Sequence, residues 1–268
     1  MTSAMIWKEV KDRRVSLVAY TVAGMGLVLM YVALYPSLQG QAATYAKLME
    51  SLPKGFAEAF GVDANFLATL EGYIASEMFS FMWPLLAIFY MVSRAGGAIA
   101  GEIEKGTIGT LLSQPVTRSS IYWAKVYAAI ISLLIFTFAT ILTTIPFALL
   151  FKLKVDTLNY FTLTIVGLLF GLAVYGFAIM LSSLSSDKTK VYGITGGLLF
   201  SMYVADVVSA LTQNLSWLKY TSIFYYFDAP AALVHGHINN LSILLFIVSA
   251  IVFLIIGRVI FTKRDISI

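Results

Sequence analysis

Six long apolar segments constrain this 268-residue chain more than any other feature of its sequence. A helix needs about 20 apolar residues to cross the roughly 30 Å hydrocarbon layer of a membrane. Only 12% of the residues are charged, whereas soluble domains carry about a quarter. We therefore predict an all-α integral membrane protein that forms a single transmembrane domain over residues 1–268. Its six transmembrane helices are predicted at about 15–35, 76–96, 126–150, 158–184, 191–212 and 241–261.

The distribution of Lys and Arg predicts how these spans are oriented. An even number of spans places both termini on the same side of the membrane. Thirteen of the 18 Lys and Arg residues lie on that side, and five lie on the other. Cytoplasmic loops of membrane proteins carry an excess of these residues. The N- and C-termini are therefore predicted to be cytoplasmic.

Residues 1–14 are predicted to form an amphipathic N-terminal helix. Ser3 is a candidate N-cap, and Ile6, Trp7 and Val10 share one face opposite basic residues. Such a helix lies in the plane of the membrane interface. A plain basic flank to the first span is the alternative.

Two loops on the outer side differ from an ordinary linker. Residues 36–75 mix acidic and aromatic residues, which predicts short helices packed on the outer mouth of the bundle. Residues 213–240 are apolar and rich in aromatic residues, which is typical of the membrane interface and compatible with a pair of short half-helices.

The charged segment 97–119 lies between the second and third spans. Glu102 and Glu104 fall near a predicted helix start, where acidic side chains complement the helix dipole. Pro115 ends that helix, and Thr117 can cap the next one. A short helix with acidic and apolar side chains suits docking into a groove on a partner, or it is an ordinary amphipathic connector.

The same segment nearly matches a phosphate-binding loop, Gly-x-x-x-x-Gly-Lys-Ser/Thr. Gly101 and Gly106 have the right spacing, but Thr107 stands where the lysine is required, and no strand precedes the motif. We therefore predict no nucleotide site on this chain.

One polar stripe lies in the fifth predicted span. Asp206 is the one acidic residue inside an apolar span, where a charge costs at least about 2.5 kcal/mol. Tyr203, Ser209 and Gln213 share its helix face. The stripe either lines a substrate path between two subunits or hydrogen-bonds a neighbouring span.

Signals for catalysis, metal or nucleic acid are weak. His235 and His237 are two residues apart, a poor chelating spacing on a helix, so we predict no metal site and no catalytic residues. The basic residues lie at the ends of spans rather than in a patch, so we predict no nucleic-acid partner. The chain has no cysteine, which excludes thiolate chemistry.

Three Gly-x-x-x-Gly patterns allow close approach between helices, although such patterns are common in apolar sequence. They lie at 97–101, 167–171 and 193–197.

Several motifs together resemble the ABC-2 type permease family, the membrane subunits of ATP-binding-cassette transporters. They are Glu-x-Glu-x-Gly-Thr at 102–107, Leu-Leu-Ser-x-Pro-Val-Thr-Arg at 111–118, and Lys125 seven residues later. The two ends, 7–14 and 261–266, resemble the family as well, so the resemblance covers essentially the whole chain. One departure is Ile103, where the family often has Arg.

The resemblance implies a cytoplasmic coupling helix between spans 2 and 3, within the loop 97–119. It further implies a separate ATP-binding subunit in two copies that holds ATP and Mg, a second permease copy or a paralogue, and a prokaryotic inner membrane as the location. The residues implied in ATPase coupling are Glu102, Glu104, Gly106, Thr107, Leu111 and Leu112, with Pro115 and Arg118 shaping the exit of the loop.

Two functional alternatives follow. The first is the permease subunit of an ABC exporter, a dimer of six-span units, whose substrate is a drug, peptide, lipid, polysaccharide or ion. The second is a secondary transporter that runs on an ion gradient through Asp206, although such transporters normally show more buried ionisable residues and internal repeats. A membrane-embedded enzyme would need a cluster of His and carboxylates that the chain does not supply.

Overall fold

The computed structural model describes residues 2–41, 44, 47 and 68–266, with the side chains of Thr2 and Gln213 excepted. The described residues are almost entirely helical and contain no strand, so the predicted all-α class is confirmed. Six of their helices are long and apolar enough to cross a membrane, which confirms the predicted number of spans. They are span 1 (Arg14–Gln39), span 2 (Leu70–Gly96), span 3 (Arg118–Leu150), span 4 (Thr157–Leu184), span 5 (Lys188–Leu211) and span 6 (Asn240–Lys263).

In five of these spans, the side chain of the N-cap residue caps the first turn of the helix. Such a side chain accepts a hydrogen bond from a backbone N–H that has no partner within the helix. The predicted cap is among them, since Thr117 Oγ1 accepts from the Ser120 N–H at 3.2 Å. The five capping residues are Thr69, Thr117, Asp156, Asp187 and Asn239.

Span 2 begins at Leu70, six residues before the predicted start, and therefore contains Glu71 in addition to Glu77, which the predicted span already included. The statement that Asp206 is the one acid in an apolar span is thus wrong. The Glu71 carboxylate is satisfied locally, because its Oε1 accepts from the Asp156 N–H at 2.9 Å. Glu77 lies in a π-helical segment, Ala75–Met82, and is exposed.

Span 3 also begins earlier than predicted, at Arg118 instead of residue 126. A helix capped by Thr117 and continuing into this span was predicted, but its membrane-crossing part was placed after Lys125, which is buried inside the helix, with 5% of it exposed. Near its other end the helix is interrupted at Thr143, and Thr144–Leu150 completes the span.

Spans 2, 3 and 4 form the centre of the bundle, and spans 1, 5 and 6 lie outside it. Within their most apolar stretches, 50–67% of the residues of the central spans are buried, against 17–22% for the outer ones. The indole ring of Trp83 stacks on Phe136 and Phe227, and its Nε1 donates to Thr140 Oγ1 at 2.8 Å. The outer spans therefore leave large apolar faces for lipid or for another protein.

The predicted outer loops are described unequally. Most of 36–75, where short helices were predicted, lies outside the described residues. Residues 213–240 form a 3-10 helix, Gln213–Thr221, and two short helices, Ile223–Tyr226 and Ala229–Val234. Phe227 and Leu233 from this segment are buried, so it is a packed part of the bundle.

The N-terminal helix covers Thr2–Asp12, and Ser3 lies within it rather than at its N-cap. Val10 is buried and Trp7 is 65% exposed, so the helix presents one apolar face to the bundle and leaves the indole outside. The helix packs against span 3.

Candidate functional site

The loop between spans 2 and 3 forms two short helices, Ala100–Glu104 and Ile108–Leu112. Gly106 joins them with φ +71°, in the left-handed region that favours glycine. The Thr107 N–H then donates to the Glu102 carbonyl at 3.0 Å, which closes the turn. Two helices and a fixed turn therefore replace the single coupling helix that the sequence suggested.

The first loop helix is attached to the end of span 4. The backbone N–H groups of Ile99 and Ala100 donate to Ser182 Oγ at 3.3 and 3.0 Å. Ser182 is fully buried. These two donors at the helix start would otherwise lack partners, so one serine fixes the position of the helix.

A buried lysine connects the loop to span 3 and to the N-terminal helix. Lys125 Nζ lies 3.6 Å from Glu102 Oε1 and 3.2 Å from Glu9 Oε2. Arg13 Nε pairs with the other oxygen of Glu9 at 3.0 Å. Sequence reasoning identified Glu102, but not the role of Glu9 or Lys125. The cation inside an otherwise apolar helix was the available signal.

Arg13 also holds the chain where span 2 ends. Its Nη2 donates to the Gly97 carbonyl, and a Cβ at Gly97 would lie 2.4 Å from the guanidinium. Glycine at this position therefore allows the arginine to lie directly on the backbone.

The Glu9 carboxyl carries a shifted pKa as a result of these contacts. Burial by itself raises that pKa, but the positive charges of Lys125 and Arg13 outweigh burial and hold the pKa below its ordinary value. The charged form of Glu9 thus stabilises the folded protein.

We expect this to be visible in the acid dependence of stability. A carboxyl with a depressed pKa stabilises the fold above the pKa of the unfolded chain, about 4.3, and this contribution is lost as the pH falls through the folded value. The midpoint of thermal unfolding, measured in nanodiscs between about pH 6 and pH 3, should fall less steeply in Glu9→Gln than in the wild type. Identical slopes would contradict the assignment.

A second ion pair attaches the loop to span 5. Lys188 Nζ lies 3.2 Å from Glu104 Oε1, and the Lys188 backbone N–H donates to Glu104 Oε2 at 3.1 Å. Both side chains are about one-third exposed. Glu104 therefore contacts both the side chain and the backbone of the first residue of span 5.

The predicted coupling residues are not equally accessible. Glu102 and Glu104 form ion pairs with Lys125 and Lys188 of the same chain. Leu111 and Leu112 are half-buried against the core. Ile108 is buried. The side of the loop that faces away from the bundle is polar. We call it the loop surface, and its exposed residues are Lys105, Gly106, Thr107, Thr110, Ser113, Gln114 and Pro115; Glu104, at its edge, is exposed as well.

The exit of the loop is tied to the C-terminal segment. Arg118 Nη1 donates to the Arg264 carbonyl at 2.5 Å. The Arg264 guanidinium in turn donates to the carbonyls of Ser183 and Ser185 at 3.0 and 2.9 Å, at the end of span 4. Arg118 therefore lies where the loop leaves for span 3, as predicted, and is held by a chain end that sequence reasoning did not connect with it.

The four residues of the predicted polar stripe on span 5 differ in what they contact. Tyr203 packs its ring against Phe81 and Phe224, each with centroids 5.5 Å apart. The Ser209 hydroxyl donates to the Asp206 carbonyl, while the Asp206 carboxylate has no hydrogen bond or ion pair within the described part of the chain. The side chain of Gln213 lies outside the described set.

Metal ligands are not assembled in the part of the chain that the structure describes. Within it, no group of three or more His, Asp or Glu side chains lies close enough to hold an ion.

Six spans, and a loop fixed to spans 3, 4 and 5, define a multi-pass helical membrane protein. Residues 3–266 match the family described as ABC-2 family transporter protein, and the chain belongs to this family. The resemblance drawn from the loop motifs is confirmed.

Two relatives are similar to this chain, one named as a membrane protein and one as an ABC transporter permease. The chain is 25% identical over 242 residues to the Uncharacterized membrane protein YdbK of Bacillus subtilis (strain 168), which covers 84% of this chain and 94% of YdbK. It is 33% identical over 137 residues to the Probable multidrug ABC transporter permease YbhR of Escherichia coli (strain K12), which covers 46% of this chain and 34% of YbhR. The chain is therefore an ABC transporter permease, a transport component of a family that works with an ATP-binding partner.

Proposed function

We propose that this permease is the membrane half of an exporter in which two six-span units enclose the substrate path. Two copies of a separate ATPase subunit, which hold ATP and Mg, bind the loop surface (105–115) of the two units. ATP binding brings the ATPase subunits together, and the loops move with them. Rigid-body motion of the spans then switches access to the path.

The observation that carries this proposal is the attachment of the loop to several spans at once. The loop meets span 4 through Ser182, span 3 through Lys125 and span 5 through Lys188. Force on the loop surface is therefore transmitted to three helices instead of being absorbed by a flexible linker. An ordinary connector needs no such set of contacts.

The outer position of spans 1 and 5 supports a second permease copy. Gly193 and Gly197 on span 5 have nothing within 4 Å of an added Cβ, so this pair is free to accept a closely packed helix. The other two Gly-x-x-x-Gly patterns meet neighbours inside the chain. We place the substrate path between the copies, with Tyr203 and Asp206 on its wall.

The substrates that we propose are amphiphilic drugs. YbhR is named as a multidrug permease. The ring contacts of Tyr203 with Phe81 and Phe224, beside the Asp206 carboxylate, provide apolar and charged surface for such molecules. Membership of an ATP-driven family favours this mechanism over the ion-gradient alternative through Asp206.

Gly106→Pro tests the role of the loop. Proline holds φ near about −65°, which is incompatible with the left-handed turn, so the surface between the two loop helices changes shape. We expect ATP-driven transport by the reconstituted complex to fall about ten-fold or more, because the rearranged turn cannot fit the ATPase subunit.

Gly236→Pro is the matched control, since Gly236 also has a positive φ, of 63°, but lies beyond span 5 at the opposite end of the bundle. It should leave the binding of the ATPase subunit intact. Copurification of the ATPase and insertion of the spans are measured in both variants. Normal transport by Gly106→Pro would refute the coupling role.

A further inference from the structure

An open cavity lies at the bundle end that carries both termini, where span 4 ends and span 5 begins. Its volume is about 440 Å³. The walls come from the last turn of span 4, the first turns of span 5 and the C-terminal segment. Ser186, Lys190 and Arg264 form its polar part, and Leu184 and Ile194 belong to its apolar part.

The polar and apolar parts of the cavity lie at different depths. Ile194 follows Lys190 by four residues on span 5, so it lies about 6 Å deeper in the membrane at the helical rise of 1.5 Å per residue. Leu184 and Ile194 are 54% and 55% exposed, so the apolar part is open to the hydrocarbon layer. This arrangement fits an amphiphile whose charged group lies at the end of the bundle.

The Arg264 guanidinium is held at the cavity without a charged partner. Its Nη1 donates to the carbonyls of Ser183 and Ser185 at 3.0 and 2.9 Å, and its Nη2 donates to Ser186 Oγ at 2.5 Å. A guanidinium has five N–H donors, so two remain for a ligand. No carboxylate of the described residues pairs with it, and the neutral oxygens fix its position while leaving its charge in place.

Lys190 adds a second positive charge from a different element. It is exposed and has no ion pair in the part of the chain that the structure describes. Asp187 also lies on the wall, but its carboxylate caps span 5 and accepts from the Thr189 N–H at 2.7 Å. Two cations against one carboxylate leave the cavity with a net positive charge, which favours an anion.

We propose that this cavity binds one anionic glycerophospholipid, with its phosphate between Lys190 and Arg264 and its acyl chains along the apolar wall. Basic pockets between membrane helices on the cytoplasmic side suit such head groups, and this end of the bundle is the one predicted to be cytoplasmic. The bound phosphate would connect span 5 with the C-terminal segment, two residues from the Lys188 that holds Glu104 of the loop. The site does not depend on the direction of transport.

The test is native mass spectrometry of the full chain, titrated in detergent with dioleoyl phosphatidylglycerol or dioleoyl phosphatidylcholine. Both lipids carry a phosphate and the same chains, but phosphatidylcholine also carries a cation that cancels its charge. The first phosphatidylglycerol should bind about ten-fold more tightly than the first phosphatidylcholine, because its net charge faces two cations. Equal affinity for the two lipids would overturn the proposal.

Lys190→Gln tests the site itself. Loss of one of the two cations should weaken the binding of phosphatidylglycerol about five-fold and leave that of phosphatidylcholine unchanged. Lys263→Gln is the matched control, since Lys263 is also exposed and precedes Arg264 in the chain but does not line the cavity. Equal weakening in both variants would show a general attraction to the basic end of the bundle, and would refute the site.

Glycerophosphoglycerol, the same head group without acyl chains, distinguishes a lipid from a soluble phosphate compound. At the concentration of the lipid it should not displace phosphatidylglycerol, because the apolar wall contributes to binding only when acyl chains are present. Displacement would assign the cavity to a soluble ligand and contradict the proposal.

Thermal unfolding in nanodiscs provides a second measurement. Added phosphatidylglycerol should raise the unfolding midpoint of the wild type more than that of Lys190→Gln, because a ligand that binds the folded state stabilises it. In phosphatidylcholine alone the anionic ligand is absent, so substitutions at Lys190 should leave the midpoint unchanged. A midpoint that responds equally to phosphatidylglycerol in both proteins would exclude Lys190 from the site.

Discussion

Replacing Lys125 with methionine should lower the free energy of unfolding by about 2–3 kcal/mol. Methionine fills a similar volume but removes the charge that faces both Glu9 and Glu102. Breaking a fully buried ion pair usually costs about 3–5 kcal/mol, because the remaining charge has no partner. The expected loss is smaller here, since the two carboxylates keep 18% and 27% of their exposure and Arg13 still pairs with Glu9.

The measurement is chemical or thermal unfolding of the purified permease in nanodiscs. Lys190→Met is a suitable control, because Lys190 is exposed and has no ion pair in the described part of the chain. We expect its effect to stay within about 0.5 kcal/mol, as for most surface substitutions.

Measuring Lys125→Met in a second genetic background identifies why the free energy of unfolding falls. With Glu9→Gln and Glu102→Gln already in place, Lys125→Met no longer leaves a carboxylate without its cation. Its additional effect should then be clearly smaller than in the wild type, and the difference measures the coupling between the three residues. An equal effect in both backgrounds would show that Lys125 acts through packing alone.

The spans could be predicted from the sequence because hydropathy is a local property. The failures occurred where an ionisable residue interrupts the apolar pattern. The predicted third span began directly after Lys125 and the predicted second span one residue before Glu77, although Lys125 lies well inside a helix and Glu77 lies in a π-helical segment. The Glu9 carboxylate that balances Lys125 is 116 residues away, so no local window contains the pair.

In the loop, too, contacts between residues that are far apart in the sequence could not be predicted. Its position and its cap at Thr117 follow from residue types that are read locally, whereas its turn at Gly106 was not predicted. The internal partners of its two acidic residues do not, because Lys125 and Lys188 come from different spans. The direct contact of Glu102 and Glu104 with an ATPase subunit stays a prediction.

The variant Glu104→Lys should reduce ATP-driven transport several-fold while changing the stability of the permease little. The pair with Lys188 is about one-third exposed, and exposed pairs contribute about 0–1 kcal/mol. In the variant two lysines face each other, and the loop loses its connection to span 5. Transport and thermal unfolding of the same preparation are compared, with Lys190→Glu as a control that changes charge nearby.

The double variant Glu104→Lys/Lys188→Glu separates two roles for Glu104. If this residue acts by holding the loop on span 5, the exchanged charges restore the attraction between the side chains. Transport should then recover substantially, though not fully, because the bond from the Lys188 backbone N–H to the carboxylate is not restored. If Glu104 instead contacts the ATPase subunit, its charge remains reversed at that contact and transport stays low. If transport does not recover in the double variant, Glu104 acts by contacting the ATPase subunit and not by holding the loop on span 5.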